Sequence, residues 1–95
     1  MPYFRCFIRG ENIAWPDGDS WQLMGCYTTR WVQALNPQRA ELKAVSTLRH
    51  EPEFQRPEGY NGGPPAKVFV EKFEQVSNLP VKRGRGATWF SMEDQ

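Results

Sequence analysis

One stretch of the chain decides the fold, and over residues 25–50 it reads GCYTTRWVQALNPQRAELKAVSTLRH. Its first third is rich in aromatic and β-branched residues, which suit the half-buried surface of a strand. Asn36 then supplies a good N-cap, and Pro37 stands at the first helical position, where its missing N–H does no harm. The stretch therefore predicts a strand followed by a helix that packs on a sheet. The apolar arc of that helix consists of Ala40, Ala44, Val45 and Leu48.

Three further segments have the character of strands. Residues 3–9 alternate between apolar and polar side chains, although Tyr3 and Phe7 interrupt the polar face. Residues 87–92 are predicted to form a short last strand. The Pro-Asp-Gly order at residues 16–18 predicts the turn of a hairpin between the first two strands. Residues 67–76 alternate as well, with Val68, Val70 and Val76 on one face and Phe69, Glu71, Phe73 and Gln75 on the other.

The predicted order is strand, strand, helix, strand, strand. This order favours a small α+β domain with a four-stranded, mainly antiparallel sheet and one helix packed on one face. At 95 residues the chain is expected to form a single domain over residues 1–95. Residues 51–66 are dense in proline and glycine, which predicts a long surface loop without regular structure.

A helix of about four turns is too narrow to cover both faces of a four-stranded sheet. Either the long loop covers the second face, or that face pairs with another molecule, because its aromatic side chains would otherwise lie exposed. The rings concerned are Trp31, Phe69 and Phe73. We therefore expect a small, non-catalytic interaction module that forms a homodimer through the uncovered face, with another protein as a further candidate partner.

The alternative function is binding of single-stranded nucleic acid through residues 82–90. Lys82, Arg83 and Arg85 would hold phosphates by charge while Trp89 stacks on an unpaired base. In a plainer interpretation, the glycines of this segment form a solvated turn and its cations keep an edge strand from pairing. The net charge of +1 provides no global field toward a polyanion.

Three arginines of the first hairpin, Arg5, Arg9 and Arg30, would extend this basic patch if the strand register brought them together. The plainer interpretation, which we favour, is that Arg30 pairs with an acidic residue such as Glu11.

Nothing in the sequence proposes catalysis, a cofactor or a metal site, so we predict that the protein is not an enzyme. His50, the only histidine, falls at the predicted helix C-terminus, where the helix dipole favours it. Asp17 and Asp19 flank a glycine, but the rest of a calcium-binding pattern is missing. Cys6 and Cys26 lack CxxC spacing, and we expect both to be reduced, buried thiols.

The composition is that of a globular protein with a large aromatic share, since 14% of the residues are Phe, Trp or Tyr. The N-terminus lacks the apolar core and cleavage site of a secretory signal, and no apolar run approaches transmembrane length. A cytoplasmic protein without a membrane partner is therefore the default expectation.

Overall fold

The computed structural model describes residues 1–60, 62–80 and 86–94. In these ranges, four strands form one antiparallel sheet, and a single α-helix packs against it. The predicted α+β fold class is confirmed. In chain order the elements are β1 (Tyr3–Asp17), β2 (Ser20–Gln33), α1 (Pro37–Arg49), a 3-10 turn (Pro52–Phe54), β3 (Lys67–Val76), β4 (Ala87–Ser91) and a second 3-10 turn (Met92–Asp94). The strand order in the sheet is β3-β1-β2-β4.

The first two strands form one long hairpin, which pairs from Tyr3 opposite Gln33 to Asp17 opposite Ser20. Gly18 in the turn has a φ of +64°, a conformation that glycine adopts without steric cost. β1 continues well past the predicted residues 3–9. Its alternation is interrupted by a bulge between residues 10 and 13, after which pairing with β2 resumes.

The helix buries three of the four residues in the predicted arc, and the fourth, Val45, is half-buried. Ala40, Ala44 and Leu48 are fully buried, and the Asn36 side chain caps the helix by accepting a hydrogen bond of 2.9 Å from the Arg39 N–H. Beneath this arc lies a row of buried side chains from β1, namely Phe4, Cys6 and Ile8. The core therefore lies between α1 and the two central strands.

Residues 51–66 contain one 3-10 turn, so the prediction that this segment has no regular structure is wrong in detail. Phe54 in that turn joins the core and stacks on Trp89 with ring centroids 5.5 Å apart. Trp89 lies opposite Cys26, which places it on the same side of the sheet as the helix. Through Phe54 the loop therefore extends the helix's cover over one face of the sheet.

A bulge in β3 also changes which of its side chains point toward the helix. Ile8 of β1 lies opposite Val70, whereas its neighbour Phe7 lies opposite Lys72, so β3 carries one extra residue at this point. Because side chains alternate with a period of two, one extra residue reverses the face of every side chain that follows.

The bulge separates the two phenylalanines that the alternation placed together. Phe69 lies opposite Arg9, on the side away from the helix. Phe73 lies opposite Cys6 on the helix side, and its ring meets Phe4 edge-on at 6.4 Å. The prediction that both phenylalanines share the uncovered face is therefore wrong for Phe73.

Candidate functional site: the open face of the sheet

The side of the sheet that turns away from α1 is here called the open face. Residues directly opposite each other in an antiparallel pair point to the same side, so the pairing determines which side chains lie there. The open face includes Tyr3, Arg5, Phe7 and Arg9 from β1, Tyr27, Thr29, Trp31 and Gln33 from β2, Lys67, Phe69, Lys72, Glu74 and Val76 from β3, and Thr88 and Phe90 from β4.

Arg9 lies at the centre of one ring cluster on this face. Its guanidinium carbon is 5.1 Å from the ring centroids of both Tyr27 and Phe90, and it donates a hydrogen bond to the Tyr27 hydroxyl. The two rings themselves lie 5.4 Å apart. A cation in this position is attracted by the electron-rich faces of the rings.

A second cluster surrounds Phe7. The guanidinium of Arg5 lies 4.8 Å from the Phe7 ring centroid, and the ammonium of Lys72 lies 5.3 Å from it. Long cationic side chains bury their apolar stems along aromatic surface in this way. As a result, Phe7 is half-buried although α1 does not cover it.

The cations of the open face are largely compensated by carboxylates. Arg5 forms an ion pair with Glu74, and Arg9 forms one with Glu11 at 3.1 Å. The hydrogen bond to Glu11 raises the pKa of the Arg9 guanidinium. This face is therefore a mixed layer of rings and paired charges, and it differs from a cationic groove.

Arg30 lies on the other side of the sheet, opposite Cys6. Its guanidinium donates to Glu51 through Nε at 2.9 Å and Nη2 at 2.7 Å, and both side chains are buried. The prediction that Arg30 pairs with an acidic residue is confirmed, but the partner is Glu51 and the suggested Glu11 is wrong. Because Arg30 lies on the other side of the sheet, no patch forms from Arg5, Arg9 and Arg30 together. The Glu51 contact lies 21 residues away along the chain, so no local sequence signal indicates it.

The three residues predicted to mediate self-association do not all lie on the same face of the sheet. Trp31 is half-buried on the open face, and Phe69 is 38% exposed there. Phe73 is similarly exposed, at 43%, but lies on the helix side. The structure therefore brings Trp31 and Phe69 to one face and leaves Phe73 out.

The predicted nucleic-acid segment is only partly described. Lys82, Arg83 and Arg85 lie outside the described residues. Trp89 lies on the helix side, where Phe54 stacks on its ring and Trp15 meets it edge-on at 4.8 Å. Its aromatic surface is thus already in contact with two rings of the same chain.

Of the central residues of the open face, Phe7 and Tyr27 were not predicted as site residues. Arg9 was predicted only as part of a basic patch, and Phe90 only as part of the segment of residues 82–90. The available signal was the interruption of the polar face of the first strand by Tyr3 and Phe7. Tyr27 and Phe90 become neighbours only when β4 pairs with β2.

In residues 1–60, 62–80 and 86–94, no group of His, Cys, Asp and Glu side chains is arranged to hold a metal ion. Exposed His50 ends α1, with Nδ1 2.7 Å from the Ser46 carbonyl oxygen. Cys6 and Cys26 are fully buried, and burial raises the pKa of both thiols.

None of the helices in the described ranges has the length and apolar character needed to cross a bilayer.

In comparisons with known proteins, no family model, no curated protein and no solved structure matches the chain. A function for this protein is therefore proposed from the geometry of the open face.

Proposed function

We propose that the protein is a non-catalytic binding module that forms a homodimer through its open face. The observation that carries the proposal is the combination of aromatic rings with paired charges on one side of the sheet, as in the Arg5–Glu74 and Arg9–Glu11 ion pairs. Aromatic residues and arginine are enriched in the cores of protein interfaces. A polyanion site depends instead on positive charge that remains available to phosphates.

The open face has about the size that a stable interface needs. Four strands spaced by about 4.8 Å span roughly 19 Å, and the length of β3 at about 3.3 Å per residue is roughly 33 Å. The flat area is therefore about 600 Å², and projecting side chains enlarge the accessible surface beyond it. A standard interface buries about 800 Å² on each partner.

The distribution of charge also suits association of two copies. In a two-fold dimer the same surface patch is used by both subunits. A face with a single sign of charge would repel its copy, whereas a face carrying both signs, as Arg5 and Glu74 do, can match positive groups with negative ones.

The two phenylalanines of β3 provide a matched test. We expect the wild-type protein to have twice its 11.0 kDa chain mass in light scattering. Phe69→Arg should weaken the dimer at least about tenfold, because it adds a charge without a partner to the interface. Phe73→Arg changes an equally exposed ring on the helix side, so it should leave the dimer intact.

The control variant loses the edge contact between Phe73 and Phe4, at a cost of about 0.5–1.5 kcal/mol, so folding of both variants is checked by urea unfolding. A wild-type protein that stays monomeric at high micromolar concentration, or equal dissociation by the two variants, would contradict the proposal.

Single-stranded nucleic acid is a second candidate ligand, favoured by one observation. Arg9 lies over Tyr27 and Phe90 on the face of a four-stranded sheet, and sheets of this kind stack unpaired bases on their aromatic residues in RNA-binding domains. Binding would release counterions and would therefore weaken as salt rises.

The assay for this candidate is quenching of tryptophan fluorescence by single-stranded oligonucleotides at low salt, since Trp31 lies on the open face. Arg5→Gln combined with Arg9→Gln should weaken binding and reduce its salt dependence. Arg83→Ala combined with Arg85→Ala tests the basic segment in the same way. Absence of quenching at low salt would eliminate this candidate.

A further inference from the structure

We infer that a second site, separate from the open face, binds a small organic anion with an aromatic or apolar body. The site is a recessed cavity of about 220 Å³ between the bulge of β1, the end of α1 and the loop of residues 51–66. Ile13 and Phe54 in its lining belong to the core, which places the cavity beside the helix-side cover of the sheet. Occupation of this cavity does not depend on the proposed dimer.

Two arginines, Arg49 and Arg56, belong to the lining of the cavity. Arg5, Arg9 and Arg30 each have a carboxylate partner. Within the part of the chain that the structure describes, neither Arg49 nor Arg56 has one. Two guanidinium groups at one cavity are suited to bind an anion.

Arg56 is held in place by groups that leave its outer nitrogens available. Its Nε donates to the Tyr60 carbonyl oxygen at 2.9 Å, and its guanidinium carbon lies 5.1 Å from the centroid of the Tyr60 ring. Among the described residues, its Nη groups have no hydrogen-bond partner. A planar guanidinium can offer paired N–H donors to a carboxylate or phosphate.

The backbone at the rim adopts a left-handed conformation at Asn12, which asparagine tolerates better than most residues. Asn12 has a φ of +59°, the only positive value for a residue other than glycine in the described ranges, and it lies in the bulge between residues 10 and 13. Such conformations, like bulges, are concentrated at functional sites, where they aim a side chain at a ligand. Here they bring the Asn12 residue to the same cavity as the two arginines.

The other walls are apolar and set the size of the ligand. Phe54, Tyr60, Pro57, Pro64 and Pro65 line the cavity together with the polar groups. Its volume equals that of roughly seven water molecules at about 30 Å³ each. A single aromatic ring with one acidic group fits this volume, since the lining combines apolar side chains with polar ones.

The test is a titration of the full chain followed by ¹⁵N–¹H NMR spectra, with benzoate, phenyl phosphate and the neutral analogue benzamide as probes. We expect saturable shifts at Asn12, Tyr60 and Ala66 with at least one anion and no such shifts with benzamide. Benzoate and phenyl phosphate together show whether the site prefers a carboxylate or a phosphate.

Arginine variants test whether the anion binds in this cavity. Arg56→Gln and Arg49→Gln should each weaken anion binding at least about fivefold, as expected for loss of a charge-assisted contact. Arg39→Gln is the matched control, because it removes an exposed arginine about 15 Å away at the other end of α1. Arg49 and Arg56 are both exposed, so both variants should fold, and Arg49→Gln tests the cavity without disturbing the contacts between Arg56 and Tyr60.

Equal weakening by Arg39→Gln would indicate general electrostatic attraction and would overturn the inference. Shifts that rise linearly with concentration, or equal shifts with benzamide, would overturn it as well. Phe69→Arg should leave anion binding unchanged, so failure of the dimer proposal and failure of this site can be told apart.

Discussion

At the scale of single residues, the buried contact between Arg30 and Glu51 connects β2 to the chain just after α1. Removing two charges from water is costly, and the cost is offset only by good geometry and further hydrogen bonds. Arg30 meets this condition, since it donates twice to Glu51 and once to the Thr29 carbonyl oxygen at 2.8 Å. Glu51 lies next to the turn that carries Phe54, so this contact positions the start of the loop.

Glu51→Ala should lower the free energy of unfolding by about 3–5 kcal/mol, because Arg30 would remain buried without its carboxylate. Urea unfolding measures this change. The matched control is Glu53→Ala, two residues further on, where an exposed glutamate should contribute less than about 0.5 kcal/mol. Similar losses in the two variants would show that the buried pair is unimportant for stability.

At the scale of elements, the attachment of β4 depends on a glycine in β2. Gly25 lies opposite Phe90, whose ring passes directly over it on the open face. A Cβ at this position would overlap the Phe90 ring and would come within 3.0 Å of the Met92 sulfur. The close approach therefore requires glycine, and it lets Phe90 reach Arg9.

Gly25→Ala should destabilise the protein by about 1–3 kcal/mol, as overpacking does elsewhere. Amide hydrogen exchange should rise first in β4, which lies at the edge of the sheet beside β2. Gly86→Ala is the control, because a Cβ there would meet no atom within 4 Å and its φ is not positive. Unchanged exchange in β4 of the Gly25→Ala variant would refute the packing argument.

At the scale of the whole molecule, the protein is an elongated two-layer structure of 46 × 22 × 20 Å. The helix and the loop residue Phe54 lie on one side of the sheet, and cationic side chains partly cover the rings on the other. This partial cover reduces the exposed apolar area, which explains how a sheet with one open face remains compatible with a folded single chain. Association through that face would complete the cover.

A dimer makes stability depend on concentration, because association stabilises the folded state by mass action. The Tm should therefore rise over a roughly hundredfold increase in protein concentration, measured by scanning calorimetry. The Phe69→Arg variant should show a smaller rise in Tm over the same range, because its dimer forms only at higher concentration. A concentration-independent Tm for the wild-type protein would count against association.

The sequence by itself determined the order of the elements, the N-cap at Asn36, the buried arc of α1 and the turn at Gly18. These features depend on residues within a few positions of one another, where backbone preferences and side-chain spacing act directly. The same local signals placed Trp31, Phe69 and Phe73 together on the face away from the helix, and this is wrong for Phe73.

Only the tertiary structure decided which face Phe73 joins, which carboxylate Arg30 meets and how Arg9 comes to lie over both Tyr27 and Phe90. One extra residue in a bulge reverses a strand's faces, and composition does not show where that residue is inserted. Contacts between residues distant in the chain depend on strand register, which results from the packing of the whole sheet.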